Sequence, residues 1–108
     1  MKKTTFMIIL RLHGIEVMQE VLADEYDENV YYVSPRININ FRGPYSFYDK
    51  KTGLMVCTGK NKKELINKYN EVKERYKNLF NGILYKKYIE RYEQLKKEVE
   101  VSVWVITN

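Results

Sequence analysis

The chain has 108 residues, 44% of them hydrophobic and 31% charged, with five glycines and two prolines. This composition is typical of a single globular domain over residues 1–108 and excludes collagen-like and intrinsically disordered chains. The net charge is +5, but the acidic segment ADEYDE interrupts it at residues 23–28. The sequence is therefore not that of a uniformly basic nucleic-acid binder.

The first half of the chain predicts β-strands. Residues 4–12 are rich in β-forming side chains, and residues 30–33 and 37–41 are two further candidate strands. Residues 15–23 alternate apolar and polar side chains as a strand does, but their apolar residues also fit one face of a helix. Both interpretations of that segment remain open.

A hairpin is predicted around the sequence DKKTG at residues 49–53. It would join strands at 45–48 and 54–58, with Gly53 in the positive φ that such a loop needs. Because short turns connect antiparallel neighbours, we expect a mainly antiparallel sheet.

Two helices are predicted after the sheet. Asn61 is placed to cap the first helix, and Glu64 can reach back to complete a capping box. Apolar side chains then form two helical stripes that point about 155° apart, so they do not fit one straight helix. The first stripe is Leu65, Tyr69, Val72, Tyr76, Leu79 and Ile83, and the second is Tyr85, Tyr88, Tyr92, Leu95 and Val99. Because Asn81-Gly82 lies where the phase changes, we expect a helix end there and a second, antiparallel helix after it.

Alternating valines predict a last strand over residues 99–106. The expected fold is therefore α+β. A mainly antiparallel sheet would be covered on one face by a C-terminal two-helix hairpin, with the final C-terminal strand at its edge or its centre.

No catalytic or metal-binding motif is recognisable. His13 is the only histidine, and no cysteine cluster or pair of carboxylates completes a zinc site or a nucleophilic triad around it. Cys57 falls within a candidate strand and is interpreted as a small core residue. Glycine-rich phosphate loops are absent from the sequence. We therefore expect a protein that is not an enzyme and that needs no cofactor or metal.

The lysine-rich helices are interpreted as solvated faces. Acidic residues stand four positions before basic ones, the order that favours ion pairs along a helix. These pairs are Glu64 with Lys68, Glu71 with Arg75, and Glu93 with Lys97. The helical tyrosines fall within the apolar stripes, which predicts core residues with their hydroxyls at the rim.

The candidate binding site lies around the sequence PRININFRGPYSFY at residues 35–48. A strand over 37–41 would place its polar side chains on one face, beside two tyrosines and two lysines that follow. The eight candidate residues are Arg36, Asn38, Asn40, Arg42, Tyr45, Tyr48, Lys50 and Lys51. Such donors and rings suit phosphates, base edges or a protein partner, although the solvated side of an antiparallel sheet alternates in the same way.

Residues 45–69, YSFYDKKTGLMVCTGKNKKELINKY, resemble the hairpin and helix of the arm-type DNA-binding domain of phage tyrosine recombinases. In that family a three-stranded sheet precedes a helix that opens with lysines, and the sheet enters the DNA major groove. The resemblance implies that Arg36, Asn38, Asn40 and Arg42 would face DNA. This chain departs from the pattern, because its segment 54–58 has no basic residue and a second helix follows.

Amino-acid usage indicates the source of the protein and its cellular compartment. Residues with AT-rich codons number 50, against 13 with GC-rich codons, which favours a low-GC bacterium, its phage or its plasmid. No segment reaches the roughly 18 apolar residues of a membrane span. We expect no signal peptide, because the apolar run at residues 6–10 is short and Arg11 follows it. The lone cysteine fits the cytoplasm. We expect a small phage or mobile-element protein that binds and inhibits a host protein or nucleoprotein, for example an anti-CRISPR-like inhibitor of a nuclease. The alternative is a stand-alone DNA- or RNA-binding regulatory domain that uses residues 36–51.

Overall fold

A computed structural model describes residues 3–38, 41, 43–79 and 82–107, with backbone alone for residues 12, 77–79 and 100–107. Five strands precede two helices along these residues. The elements are β1 (Lys3–Leu12), β2 (Ile15–Glu25), β3 (Val30–Val33), β4 (Tyr45–Asp49), β5 (Met55–Gly59), α1 (Lys62–Leu79) and α2 (Ile83–Thr107). The strands form one antiparallel sheet in the order β1-β2-β3-β4-β5, which confirms the predicted α+β fold.

The longest ladder of the sheet joins β1 to β2. His13 and Gly14 both have positive φ, 51° and 81°, and this two-residue turn matches the twist of the strands on either side. The turn sets a register from Leu12 opposite Ile15 to Lys3 opposite Asp24. Residues 15–23, which the sequence left open, are therefore strand, because pairing with β1 satisfies their backbone groups.

Of the strand predicted at residues 37–41, the described residues 37, 38 and 41 are not in a strand, and residues 39 and 40 lie outside the described residues. Residues 35–37 make a turn, and Asn38 and Phe41 lie outside any helix or strand. The side-chain oxygen of Asn38 accepts a hydrogen bond from the Leu22 amide at 2.7 Å, and its nitrogen donates to the Leu22 carbonyl at 3.1 Å. One asparagine side chain thus takes the place of a neighbouring strand on β2, a competition typical of this residue type.

Side chains of β3 and β4 alternate between two hydrophobic clusters. The first consists of Val30, Tyr32 and Phe47 with Leu65, Tyr69 and Tyr76 of α1. The second consists of Val33, Tyr48, Phe6, Ile8, Val21, Ala23 and Phe41 with Tyr92 of α2. Neighbouring residues of a strand point to opposite faces, so the two helices cover different faces of the sheet. The structure differs here from the expected hairpin on one face, because β3 and β4 are apolar on both sides and both sides need cover.

The start of α1 has the predicted Asn61 cap, and Glu64 reaches back to the amide one residue before the cap. The side chain of Asn61 accepts a hydrogen bond from the amide of Glu64 at 2.9 Å, and the Glu64 carboxylate accepts one from the amide of Lys60 at 3.0 Å. Glu64 also pairs with Lys68 at 3.2 Å, the first of the three predicted helical ion pairs.

Replacing Asn61 with alanine should lower the free energy of unfolding by about 1 kcal/mol, because one amide of the first turn loses its acceptor. Urea denaturation followed by circular dichroism measures this loss. Asn67→Ala, at an exposed position within α1, is the matched control and should cost nothing, since alanine is the better residue inside a helix. Equal losses for the two variants would contradict the role of Asn61.

The structure does not show the predicted final strand over residues 99–106; it has α2 over Ile83–Thr107. No glycine or proline stands between Ile83 and Thr107, so the helix extends with one backbone hydrogen bond per added residue. Across the described residues, neither helix has the length and apolarity needed to span a membrane.

Candidate functional site

The predicted binding residues do not share one surface in the part of the chain that the structure describes. Asn40 and Arg42 lie outside the described residues. Asn38 is buried against β2, and Tyr48, only 2% exposed, belongs to the cluster beneath α2. Tyr45 points to the opposite face, towards the cluster beneath α1. Two of the predicted contact residues therefore have structural roles in the core.

The three other predicted residues are cations at opposite ends of the β3–β4 pair. Arg36 is exposed in the turn after β3. Lys50 lies at the other end, where its ammonium group pairs with Glu25 at 2.6 Å and sits 5.0 Å from the centre of the Tyr31 ring. Lys51 follows it, exposed in the β4–β5 turn.

The single histidine and the single cysteine each lie where the described residues give them no reactive or metal-binding environment. His13 is exposed at the tip of the β1–β2 hairpin. Burial raises the pKa of the Cys57 thiol in β5 to about 11, so the reactive thiolate is scarce at neutral pH. The described residues bring together no group of three histidine, cysteine, aspartate or glutamate side chains suited to a metal ion.

Three helical tyrosines pack on the sheet and donate their hydroxyls to acceptors on the strands and loops; Tyr69 and Tyr92 are core residues as the sequence predicts, and Tyr85 is partly buried. Tyr69 of α1 donates to Asp27 in the β2–β3 loop at 2.6 Å, and Tyr85 of α2 donates to Asp49 at 3.0 Å. Tyr92 donates to the backbone carbonyl of Met7. Burial raises the pKa of Tyr92 to about 12 and also raises the pKa values of Tyr69 and Tyr85, which lie beside carboxylates. All three hydroxyls are therefore donors at neutral pH, and these tyrosines hold the helices on the sheet.

Among the described residues, the candidate site is an open cleft of about 540 Å³, between the β1–β2 hairpin, the β4–β5 hairpin and α2. Its floor contains the buried residues Tyr48 and Thr52. Its walls are mostly apolar and comprise Ile9, Leu10, Leu54, Met55 and the ring of Tyr88. The volume and the apolar lining are those of a ligand or side-chain binding site.

Charged side chains form the rim of the cleft. Glu16 contacts Arg91 of α2 at 3.2 Å through one carboxylate oxygen and Arg11 of β1 at 3.6 Å through the other. The arginine side chains are 57% and 74% exposed, whereas Glu16 is 26% exposed. Two positive charges therefore share one negative charge, and the rim has a net charge of +1.

Exposed apolar side chains continue the cleft on two sides. Met55, on its wall, is 53% exposed. Leu84 is 56% exposed and lies one helical turn before Tyr88, so both are on the same side of α2. Exposed apolar side chains beside an apolar cleft enlarge the apolar surface that a ligand or partner could bury, which makes the cleft a candidate interaction surface.

Sequence reasoning missed this cleft because its residues come from three distant segments. Arg11 and Arg91 are 80 positions apart, and only the packing of α2 on the sheet brings them together. One signal was present: a two-residue turn at His13-Gly14 places Arg11 directly opposite Glu16. Once residues 15–23 are recognised as a strand, this cross-strand pair predicts two of the three charged residues of the rim.

Comparison with known proteins yields no relative: no family model, no curated protein and no solved structure matches the chain.

Proposed function

We propose that this is a small interaction protein of a phage or another mobile element. In the cytoplasm of a low-GC bacterium it binds a host protein through the cleft and thereby inhibits that protein. The observation that supports this function is the open apolar cleft with an arginine rim. Tyrosine and arginine, which the cleft presents as Tyr88, Arg11 and Arg91, are among the side chains that contribute most to protein–protein binding.

A protein partner fits the cleft better than nucleic acid does. Interfaces with nucleic acid are polar and strongly positive, and their affinity comes largely from phosphate neutralisation. The walls of the cleft are instead mostly apolar, and one positive charge in excess at its rim is far fewer than a nucleic-acid interface carries. A protein side chain that enters the cleft would bury Met55 and Leu84 together with the walls, which favours association.

The test is site-specific photo-crosslinking in a nuclease-treated low-GC bacterial lysate. A diazirine side chain is placed at position 55 in the cleft or at position 67, which is exposed on α1 across the sheet. We expect one protein to crosslink to position 55 and not to position 67. After purification, that protein should lose its own activity when the unlabelled chain is added.

A charge reversal at the rim of the cleft is the second test of the proposed function. Arg91→Glu should weaken binding of the purified partner at least about tenfold, since a rim arginine is lost and a like charge is added beside Glu16. Lys86→Glu makes the same charge change on an exposed position of α2 that faces about 140° away, and it should leave binding unchanged. Equal crosslinking at both positions, or loss of every partner with nuclease, would overturn the proposal, and the second result would favour nucleic acid.

A further inference from the structure

We infer that the occupant of the cleft is a protein segment that carries a carboxylate next to an aliphatic side chain, and that Glu16 is its competitor within the chain. This inference rests on the proposed function and adds the chemistry of the partner. It follows from how the three charged side chains of the rim are bonded and from what lines the cleft beneath them.

Glu16 does not use the full hydrogen-bonding capacity of either arginine. Arg91 donates to Glu16 through Nε alone, at 3.2 Å. Arg11 approaches the other carboxylate oxygen at 3.6 Å, which is too long for a hydrogen bond. In the described part of the chain, the two terminal nitrogens of the Arg91 guanidinium have no hydrogen-bond partner. A guanidinium binds a carboxylate best with two parallel N–H donors, so an incoming carboxylate would meet unused donors.

The net positive charge of the rim also favours a carboxylate ligand. One carboxylate balances two guanidinium groups, so the rim retains a charge of +1 that a second carboxylate neutralises. Glu16 has the same chemistry as this ligand and already lies between the arginines. Removing its charge should therefore increase the attraction of the rim for an external carboxylate.

The apolar lining of the cleft favours an aliphatic side chain next to the carboxylate of the bound segment. Leu10, Leu54 and Met55 present branched or flexible aliphatic surface beside the arginines. An aliphatic side chain one position from the carboxylate would enter this space while the carboxylate stays at the exposed rim. Methionine adapts its shape to the side chain that contacts it, which suits Met55 to the edge of such a site.

Two blocked pentapeptides test the inference directly. Gly-Leu-Asp-Leu-Gly carries the carboxylate, and Gly-Leu-Asn-Leu-Gly replaces it with an amide of the same shape. Each is titrated into the full chain labelled with ¹³C at its methionine methyl groups. The chain has four methionines, of which Met55 lines the cleft and Met18 on β2 does not, so the Met18 signal is the internal reference.

We expect the aspartate peptide to shift the Met55 signal with a millimolar dissociation constant, about threefold tighter than the asparagine peptide, the range of one exposed ion pair. Glu16→Gln should tighten the aspartate peptide by about threefold and leave the asparagine peptide unchanged. Glu20→Gln removes the same charge from an exposed position of β2 outside the cleft and should change neither. High salt should reduce the preference for aspartate, because the rim is exposed.

Three results would overturn the inference: equal affinity of the two peptides, the absence of any Met55 shift, or weaker binding of the aspartate peptide to Glu16→Gln. None of them bears on whether a host protein crosslinks to position 55. A successful crosslink with equal peptide affinities would keep the cleft as the docking site and reject the carboxylate as its determinant.

Discussion

Replacing Gly53 with alanine should lower the free energy of unfolding by about 3 kcal/mol, through a strained backbone and a steric overlap together. Gly53 has φ +68°, a conformation that side chains with a Cβ adopt at a cost. A Cβ at this position would overlap the ring of Tyr92 and lie 3.1 Å from the carbonyl oxygen of Met7. Neither neighbour moves easily, because the Tyr92 hydroxyl is bonded to that carbonyl.

The position matters because three segments meet there. The carbonyl of Gly53 accepts a hydrogen bond from the amide of Ile9 on β1 at 2.9 Å. The β4–β5 loop, β1 and α2 are thereby joined, and these are the segments that enclose the cleft. The loss of stability in Gly53→Ala should be accompanied by a change in the Met55 methyl signal, which reports on the cleft wall.

Gly14→Ala is the matched control for this variant. Gly14 also has positive φ, +81°, but a Cβ there would meet no atom within 4 Å. Its substitution should cost about 1 kcal/mol from the backbone alone. Urea denaturation of both variants measures the difference, and equal losses would show that the contact between Gly53 and Tyr92 contributes nothing.

Asp49→Ala should lower the free energy of unfolding by about 3 kcal/mol, the cost of leaving several buried donors without an acceptor. Asp49 is only 2% exposed at the end of β4. One carboxylate oxygen accepts hydrogen bonds from the amide and the hydroxyl of Thr52, both at 2.8 Å, and Thr52 is itself fully buried. The hydroxyl of Tyr85 donates to the same carboxylate from α2.

Two milder variants separate the parts of this network. Tyr85→Phe removes only the donor from α2 and should cost about 1 kcal/mol. Asp49→Asn keeps an acceptor but loses the charge, so its loss should fall between the other two. Thermal unfolding by calorimetry ranks the three variants. A loss in Asp49→Ala no larger than that in Tyr85→Phe would mean that the loop does not depend on the carboxylate.

The binding face predicted at residues 36–42 could not be tested by sequence patterns alone, because its geometry depends on tertiary contacts. A two-residue period predicts one polar face at 36–42, but it assumes that the segment is a strand. Asn38 instead satisfies the Leu22 backbone with its side chain, and Tyr48 fills the core beneath α2. Both outcomes depend on neighbours distant in sequence. The cleft was missed for the same reason, since its rim exists only when α2 packs beside the β1–β2 hairpin.

The sequence by itself determined the elements whose signals are local. The cap at Asn61, the turn at Gly53, the strand at 30–33 and the helix break before Ile83 each depend on residues within a few positions. Short-range backbone hydrogen bonds and φ preferences decide such features before any tertiary contact forms. The α+β order of strands followed by helices was predictable on this basis.

Tertiary structure alone decided which face each helix covers, which of the polar side chains are buried, and where the cleft lies. Apolar stripes at 65–83 and 85–99 show that both helices need cover, but either face of β3 and β4 can supply it. Burial energy is non-directional and depends on area, so it does not distinguish the two faces. The choice depends on specific long-range bonds, from Tyr69 to Asp27 on one side and from Tyr92 to Met7 on the other, because buried hydroxyls must find partners.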